Sequence, residues 1–226
     1  MIRVFIGYDP RETVAFHVLS HSLLRNSSLP VSITGLKLSQ LDMWRAKDPK
    51  QSTAFAFSRF LVPYLCGYEG HAIFMDCDMI CRGDIAELWA LRAQFQEGEA
   101  VKVVKHDYTP TTATKFLNQP QTVYPCKNWS SVMLFNNAEC RSLTPGSVNT
   151  QTGLYLHQFK WTDAVGELPG EWNHLVGEYA PNTGAKLAHF TLGGPYFNEY
   201  ADCEFSSEWF REKDYMTECE QRRESA

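Results

Sequence analysis

The stretch Phe74-Met75-Asp76-Cys77-Asp78-Met79-Ile80 sets two carboxylates one residue apart inside an otherwise apolar run. In an extended segment residues i and i+2 share a face, so Asp76 and Asp78 point the same way while their neighbours enter the core. Two carboxylates on one face suit a hard divalent cation. At a strand end such a cation keeps coordination positions open for phosphate oxygens and neutralises charge on a departing diphosphate. The same spacing also occurs at a plain strand-to-loop exit with two solvated acids, and Asp-x-Asp alone does not separate these readings.

Around this stretch, short apolar runs alternate with helical patterns, the order expected of an α/β chain with a mainly parallel sheet covered on both faces. Residues 2–8 predict a buried first strand, and Asp9-Pro10 predicts a helix cap followed by proline at the first helical position. Val14, Ala15, Val18, Leu19 and Leu23 form an apolar stripe at helical spacing. Gly7, Tyr8 and Asp9 therefore fall at the carboxyl end of the first strand. Open α/β sheets bind ligands in that crevice, and a glycine there lets a flat base approach the backbone.

Ser52 predicts the start of a second helix, crowded with Phe55, Phe57, Phe60 and Leu61 and carrying Arg59 as its one cation. By residue type alone Arg59 reads as a surface arginine. Asp84 and Glu87 have capping-box spacing, with aspartate in place of serine or threonine. Residues 100–105 and 131–135 predict further strands. Between them, residues 108–127 are rich in Thr, Pro, Asn and Gln and read as a long loop, a candidate acceptor surface. After Asn198 the chain alternates charges with Phe205, Trp209, Phe210 and Tyr215, which suits a docked helix or a partner-binding extension.

A chain of 226 residues with 44% hydrophobic content can bury one large core, so a single domain over 1–226 is expected, with 198–226 a candidate C-terminal extension. The net charge of -5 is spread along the chain and offers no basic stripe for nucleic acid and no polybasic anchor. No run has the length of a membrane span and the first residues do not read as a signal peptide, so the expectation is a soluble cytoplasmic protein. Seven scattered cysteines argue against a secreted disulfide framework. Cys77 and Cys81 read as buried small hydrophobes, because no second pair completes a zinc site.

Several segments occur in an order that resembles glycosyltransferase family 8, the glycogenin-like retaining enzymes of the nucleotide-diphosphate-sugar transferase (GT-A) fold. Residues 52–65 carry Arg59 and lead into Ala72-Ile73-Phe74-Met75-Asp76-Cys77-Asp78, followed by Gly83-Asp84-Ile85-Ala86-Glu87-Leu88. Downstream stand Leu168-Pro169-Gly170-Glu171-Trp172-Asn173, then Leu187-Ala188-His189-Phe190-Thr191 with Gly193-Gly194-Pro195-Tyr196. The resemblance implies that His189 joins Asp76 and Asp78 in holding Mn²⁺ or Mg²⁺, although a lone histidine at the end of a short apolar run is more often a hydrogen-bonded core residue than a ligand. It also implies that Arg59 lies beside the donor diphosphate, that Gly193 and Gly194 bring backbone amides to it, and that Gly7, Tyr8 and Asp9 receive the base.

The chain departs from that pattern at three places. Leu192-Gly193-Gly194-Pro195-Tyr196 lacks the lysine that the family carries near the donor phosphates. The Asn-Ser-Gly strand start becomes Trp129-Ser130-Ser131, and no acidic Asp-Gln-Asp element is recognisable near Thr152-Gly153-Leu154-Tyr155-Leu156-His157-Gln158. Tyr155, His157, Gln158, Trp172 and Asn173 become the candidates for sugar or acceptor contact. The resulting expectation is a metal-dependent retaining hexosyltransferase, moving sugar from a UDP-hexose to a carbohydrate or other hydroxyl acceptor, with no protein nucleophile identified. Two alternatives stand beside it: a sugar nucleotidyltransferase, for which the segment Gly7-Tyr8-Asp9-Pro10-Arg11-Glu12 has only one glycine and is followed by an acid, and a non-catalytic sugar-nucleotide or carbohydrate-binding protein.

Overall fold

A computed structural model describes residues 1–46, 51–110, 112, 114, 115, 117 and 124–218. The first strand, β1 (Ile2–Gly7), lies between β2 (Val31–Leu36) and β3 (His71–Met75) and runs parallel to both. Beyond β3 come β6 (Val132–Asn136), β5 (Val101–Val103) and β7 (Val165–Glu167), giving the order β2-β1-β3-β6-β5-β7. Only β6 is reversed, running antiparallel to β3 and β5. Residues 72–75 of β3 are wholly buried, as an uninterrupted apolar run requires when a strand is covered on both faces.

A smaller sheet, ordered β4-β9-β8, is built from β4 (Met79–Cys81), β8 (His174–Leu175) and β9 (Leu187–His189). β3 and β4 are joined only by residues 76–78, so the Asp-x-Asp segment is the corner where the chain leaves one sheet for the other. Helix α1 (Thr13–Asn26) presents its expected stripe to the core, with Ala15, Val18, Leu19 and Leu23 fully buried. Asp9 caps the 3₁₀ turn Pro10–Glu12 that precedes it, accepting from the Arg11 amide at 3.0 Å.

The helix predicted to start at Ser52 does not form. Residues 53–57 are turns, Ser58–Leu61 is a 3₁₀ turn, and only α2 (Val62–Leu65) is α-helical. Pro63 has no N–H to give the Arg59 carbonyl, and Asp9 Oδ2 takes the Ala54 amide at 3.0 Å, so the segment is broken at one end and tied to β1 at the other. At α3 (Ile85–Ala90) Asp84 is the cap, accepting from Ala86, but Glu87 pairs with Lys186 at 2.5 Å instead of closing a capping box. The strand expected over 100–105 keeps only the three residues of β5, and part of the 108–127 loop lies outside the described residues.

Two short helices follow, α4 (Pro145–Thr150) and α5 (Gly153–His157). The last described element, α6 (Ser206–Thr217), docks on α1: Glu212 pairs with Arg25 at 2.5 Å and with His21 at 2.6 Å, and Trp209 is buried. Cys77 and Cys81 are buried thiols, and no disulfide joins cysteines among the described residues; Cys219 lies outside them. No described helix is long and apolar enough to cross a membrane.

Candidate metal and donor site

The corner after β3 is completed by β9. Met79 pairs with His189 across the antiparallel β4–β9 ladder, and the Phe190 amide donates to the Asp78 carbonyl at 2.8 Å. This register lays the His189 imidazole beside the Asp78 carboxylate. One ligand atom from each of Asp76, Asp78 and His189 falls within 4.8 Å of the others.

The hydrogen bonds around His189 fix the orientation of its ring. Nδ1 stands 3.0 Å from Asn173 Oδ1, an acceptor, so Nδ1 carries a proton and the ring turns Nε2 toward the carboxylates. Asn173 is fixed in that orientation because its Nδ2 donates to Ser131 Oγ at 2.8 Å, to the Asn128 carbonyl at 3.3 Å and to His106 Nε2 at 2.9 Å. Burial, reinforced by His189 and His174, holds the His106 pKa down to about 3, so the ring stays neutral with one nitrogen free to accept.

The residues fit a cation by a second observation. Asp76 Oδ1 and Asp78 Oδ1 are buried and accept no hydrogen bond, and Asp78 Oδ1 lies 3.5 Å from His189 Nε2. A carboxylate oxygen and a ring nitrogen at that range are held together by positive charge, either a proton on Nε2 or a cation between them. Two carboxylate oxygens and one imidazole nitrogen form a donor set suited to Mn²⁺ or Mg²⁺, with positions left for other oxygens.

Arg59 is not a surface residue. It is 5% exposed, donates Nη1–H to the Ser130 carbonyl at 2.8 Å and stands 2.9 Å from Asp76 Oδ1 in an ion pair that is not a well-directed hydrogen bond. Burial pushes the Asp76 carboxyl up to about 6; Arg59 opposes this and Asp78 adds to it. Burial also acts on Asp78, but His189 and Lys115 outweigh it and hold that carboxyl below its ordinary value.

The site opens into a cavity of about 340 Å³ whose only carboxylates, among the described residues, are Asp76 and Asp78. Arg59, His157 and His189 line it. His157 bonds Ser130 Oγ through Nδ1 at 2.8 Å and packs on Phe60 and Tyr124; burial first, then Arg59 and Arg45, hold its pKa down to about 3. Thr191, at the end of the His189 segment, lines it too, and three further residues there carry no signal in a local motif: Lys115, Tyr124 and Lys127. The length of the 108–127 loop is the one pointer to these three.

A second cavity of about 380 Å³ adjoins the first through Gln51, Ser52, Thr53 and Phe57, and Asp9 lines it. Burial disfavours the Asp9 carboxylate, but Arg11 and the Ala54 amide more than offset this and hold its pKa low. Gly7 and Tyr8 line neither cavity. A Cβ on Gly7 would overlap the Phe55 ring, so that glycine makes room for core packing, and Tyr8 meets Thr13 at 3.2 Å.

Other candidates are placed elsewhere. The Gly193 amide is spent on the Phe190 carbonyl at 2.9 Å, Gly194 is covered by the Tyr196 ring, and neither lines the cavity. Trp172 is a core residue, and Tyr155 and Gln158 lie outside the lining, because α5 turns only its His157 edge inward. Asn173 acts on His189, not on the cavity.

Comparison with known proteins follows this geometry. A sequence profile described as glycosyl transferase family 8 matches residues 17–144, and Protein CDI of Arabidopsis thaliana is 44% identical over 223 residues, covering 93% of this chain and 85% of that one. The chain belongs to glycosyl transferase family 8. Its fold is that of GT-A glycosyltransferases. A galactosyltransferase, LgtC, solved with donor and acceptor sugar analogs, superposes with a TM-score of 0.62 at 9% identity and full coverage of both chains. The bifunctional glycosyltransferase WbbM gives 0.64 at 14% identity over 99% of this chain, which spans 50% of WbbM's length. Mouse xyloside xylosyltransferase 1 gives 0.56 at 12% identity, over 84% of this chain and 97% of that one.

Proposed function

We propose that this glycosyltransferase moves a hexose from a UDP-hexose to a hydroxyl acceptor with retention of anomeric configuration, using Mn²⁺ or Mg²⁺ held by Asp76, Asp78 and His189. The observation that carries the reading is the pair of buried carboxylate oxygens, neither of which accepts a hydrogen bond, gathered with the Nε2 of an orientation-locked histidine. A divalent ion there would supply positive charge to the leaving nucleoside diphosphate. The residues themselves divide the rest of the work. Asn173 orients His189, Arg59 holds Asp76 in place, and the second cavity beside Asp9 has room for a base. His157 and Tyr124 offer the sugar an uncharged wall.

Retention without a protein nucleophile is supported by the cavity lining, whose only carboxylates among the described residues are those of the metal corner. The acceptor then attacks from the side of the departing phosphate. The same lack of an extra acid favours, as a second reading, a protein that binds sugar nucleotides without turnover. We further place its work in the cytoplasm, a reducing compartment that suits the free cysteines Cys66, Cys77, Cys81, Cys126, Cys140 and Cys203.

The deciding experiment incubates the protein with UDP-hexoses and Mn²⁺. An α-linked product from an α-linked donor, read from the anomeric proton by NMR, is expected. A β-linked product rejects retention, and binding of nucleotide without hydrolysis or transfer favours the second reading. The metal corner is tested separately: Mn²⁺ should raise the melting temperature of the wild type far more than that of Asp78→Ala or His189→Ala.

A further inference from the structure

The larger sheet ends at β2, and the outer edge of that strand is open. Among the described residues β1 is the only strand that pairs with it. The Ile2 amide donates to the Pro30 carbonyl at 2.9 Å, and the parallel register that sets Ile2 beside Val31 continues to Gly7 beside Leu36. The N–H and C=O of one strand residue point the same way, so residues 30, 32, 34 and 36 spend theirs on β1. Val31, Ile33 and Gly35 turn theirs outward. Of these outward groups only the Gly35 carbonyl has a partner among the described residues, the Lys37 amide at 3.1 Å.

An edge of this kind is ordinarily blunted by charge, by proline within the strand or by a bulge. β2 has none of these. Residues 27–36 hold no charged side chain in a chain of net charge -5, Pro30 precedes the strand, and the β1–β2 register runs unbroken. Val31 and Ile33 are only partly buried and Thr34 is exposed. Helix α1 covers one face of the edge: a Cβ on Gly35 would lie 3.1 Å from the Phe16 ring, and α1 ends at Asn26, just before β2 begins. By helical spacing Ser20 and Leu24 continue the Phe16 row toward Val31, where Leu24 is 57% exposed and Leu29 48%.

We propose that β2 pairs antiparallel with β2 of a second copy of this chain, across a two-fold axis at Ile33, joining the two larger sheets into one. Ile33 then faces its own counterpart, and Val31 faces Gly35 of the second copy. Each of these pairs exchanges both backbone N–H···O=C bonds. Between them Ser32 meets Thr34, a favourable cross-strand pair. Val31 lies opposite a residue without a Cβ and packs on the Phe16 ring that covers it. A two-fold sets one surface against itself, so any charge near the axis would meet its like; the uncharged run removes that conflict. An unrelated partner strand requires no such self-matching, which is why the second copy is the occupant. β1 and β3 run parallel to β2, so the Asp-x-Asp corners point to opposite ends of the joined sheet and each cavity opens away from the other.

Sedimentation velocity of the full chain over a wide concentration range tests this, together with deuterium exchange read amide by amide by NMR. The wild type should reach twice the mass of one chain. Its Val31, Ile33 and Gly35 amides should exchange more slowly as concentration rises, while those of Ser32, Thr34 and Leu36, already bonded to β1, should not change. Ile33→Lys and Ile33→Glu each set like charges across the axis and should weaken self-association at least about tenfold. Mixed together they should recover a heterodimer, because lysine then faces glutamate, and that recovery shows that both variants fold.

A monomer at every concentration overturns the proposal, whether its edge amides exchange freely or are held by another part of the chain. So does a dimer whose Val31 and Ile33 amides stay fast, which would place the contact elsewhere. Charged variants that dimerise as well as the wild type, or that melt like the wild type yet stay apart when mixed, reject the axis at Ile33.

Discussion

His189 gives its Nδ1 proton to Asn173 Oδ1 at 3.0 Å, and Asn173 is in turn held by Ser131 and His106. A neutral imidazole with a fixed donor face is the form in which histidine coordinates a metal. Asn173→Ala should therefore lower Mn²⁺ affinity about ten- to a hundredfold, the usual effect of losing an outer partner of a ligand. The loss should appear in direct Mn²⁺ titration followed by electron paramagnetic resonance. Unaltered affinity would mean that His189 keeps its pose without Asn173 or does not bind the ion.

Arg59→Ala should cost stability, on the order of 3–5 kcal/mol by urea denaturation, because the change strands the buried Asp76 carboxylate. Mn²⁺ should restore part of that loss, since an ion at the corner offers Asp76 another positive partner. A variant as stable as the wild type without metal would show that the ion pair is dispensable.

Glu12 is fully buried, accepts from the Tyr196 hydroxyl at 2.6 Å through Oε1, and leaves Oε2 without a partner. Burial, aided by repulsion from Asp78, pushes its pKa up to about 8 from 4.5. The folded state therefore holds a proton that the unfolded chain releases. The associated stability is fully present below about pH 4.5 and is lost as the pH rises through about 8. Relative to Glu12→Gln, wild type in chelator should lose several kcal/mol across that window, read from melts at successive pH values. Parallel pH profiles for the two proteins would refute a neutral Glu12.

Gly7→Ala should destabilise the fold by roughly 1–3 kcal/mol, the range for overpacking, because its new methyl meets the Phe55 ring. Phe55→Leu in the same chain should recover part of the loss in thermal melts. No recovery would locate the conflict elsewhere.

What the sequence makes legible here is set by range. Asp76, Asp78 and the first strand announce themselves because strand periodicity and an apolar run are local, and α1 does so through its stripe. His189 is 111 positions from Asp78 and was reachable through the order of family-like segments, while the reason it fits, the β4–β9 register, exists only in three dimensions. Arg59 looked exposed because its charge was visible and its partner, Asp76, was not. The glycines misled for a related reason: a missing side chain says that something comes close, and at Gly7 and Gly194 the visitor is an aromatic ring of the same chain. Lys115 and Lys127 sit in a segment without periodicity, so nothing in their neighbours foretells where their ammonium groups end up.

The corner between the sheets has a mechanical meaning as well. Asp76 leaves the end of β3 in the larger sheet, Asp78 leads into β4, and His189 closes β9 in the smaller one. An ion gripping all three is a rivet driven through both sheets, and its removal frees one to breathe against the other. The Phe190 amide, bonded to the Asp78 carbonyl at 2.8 Å, is the strain gauge for that joint: its exchange with deuterium should slow when the rivet is in and quicken when a chelator pulls it out.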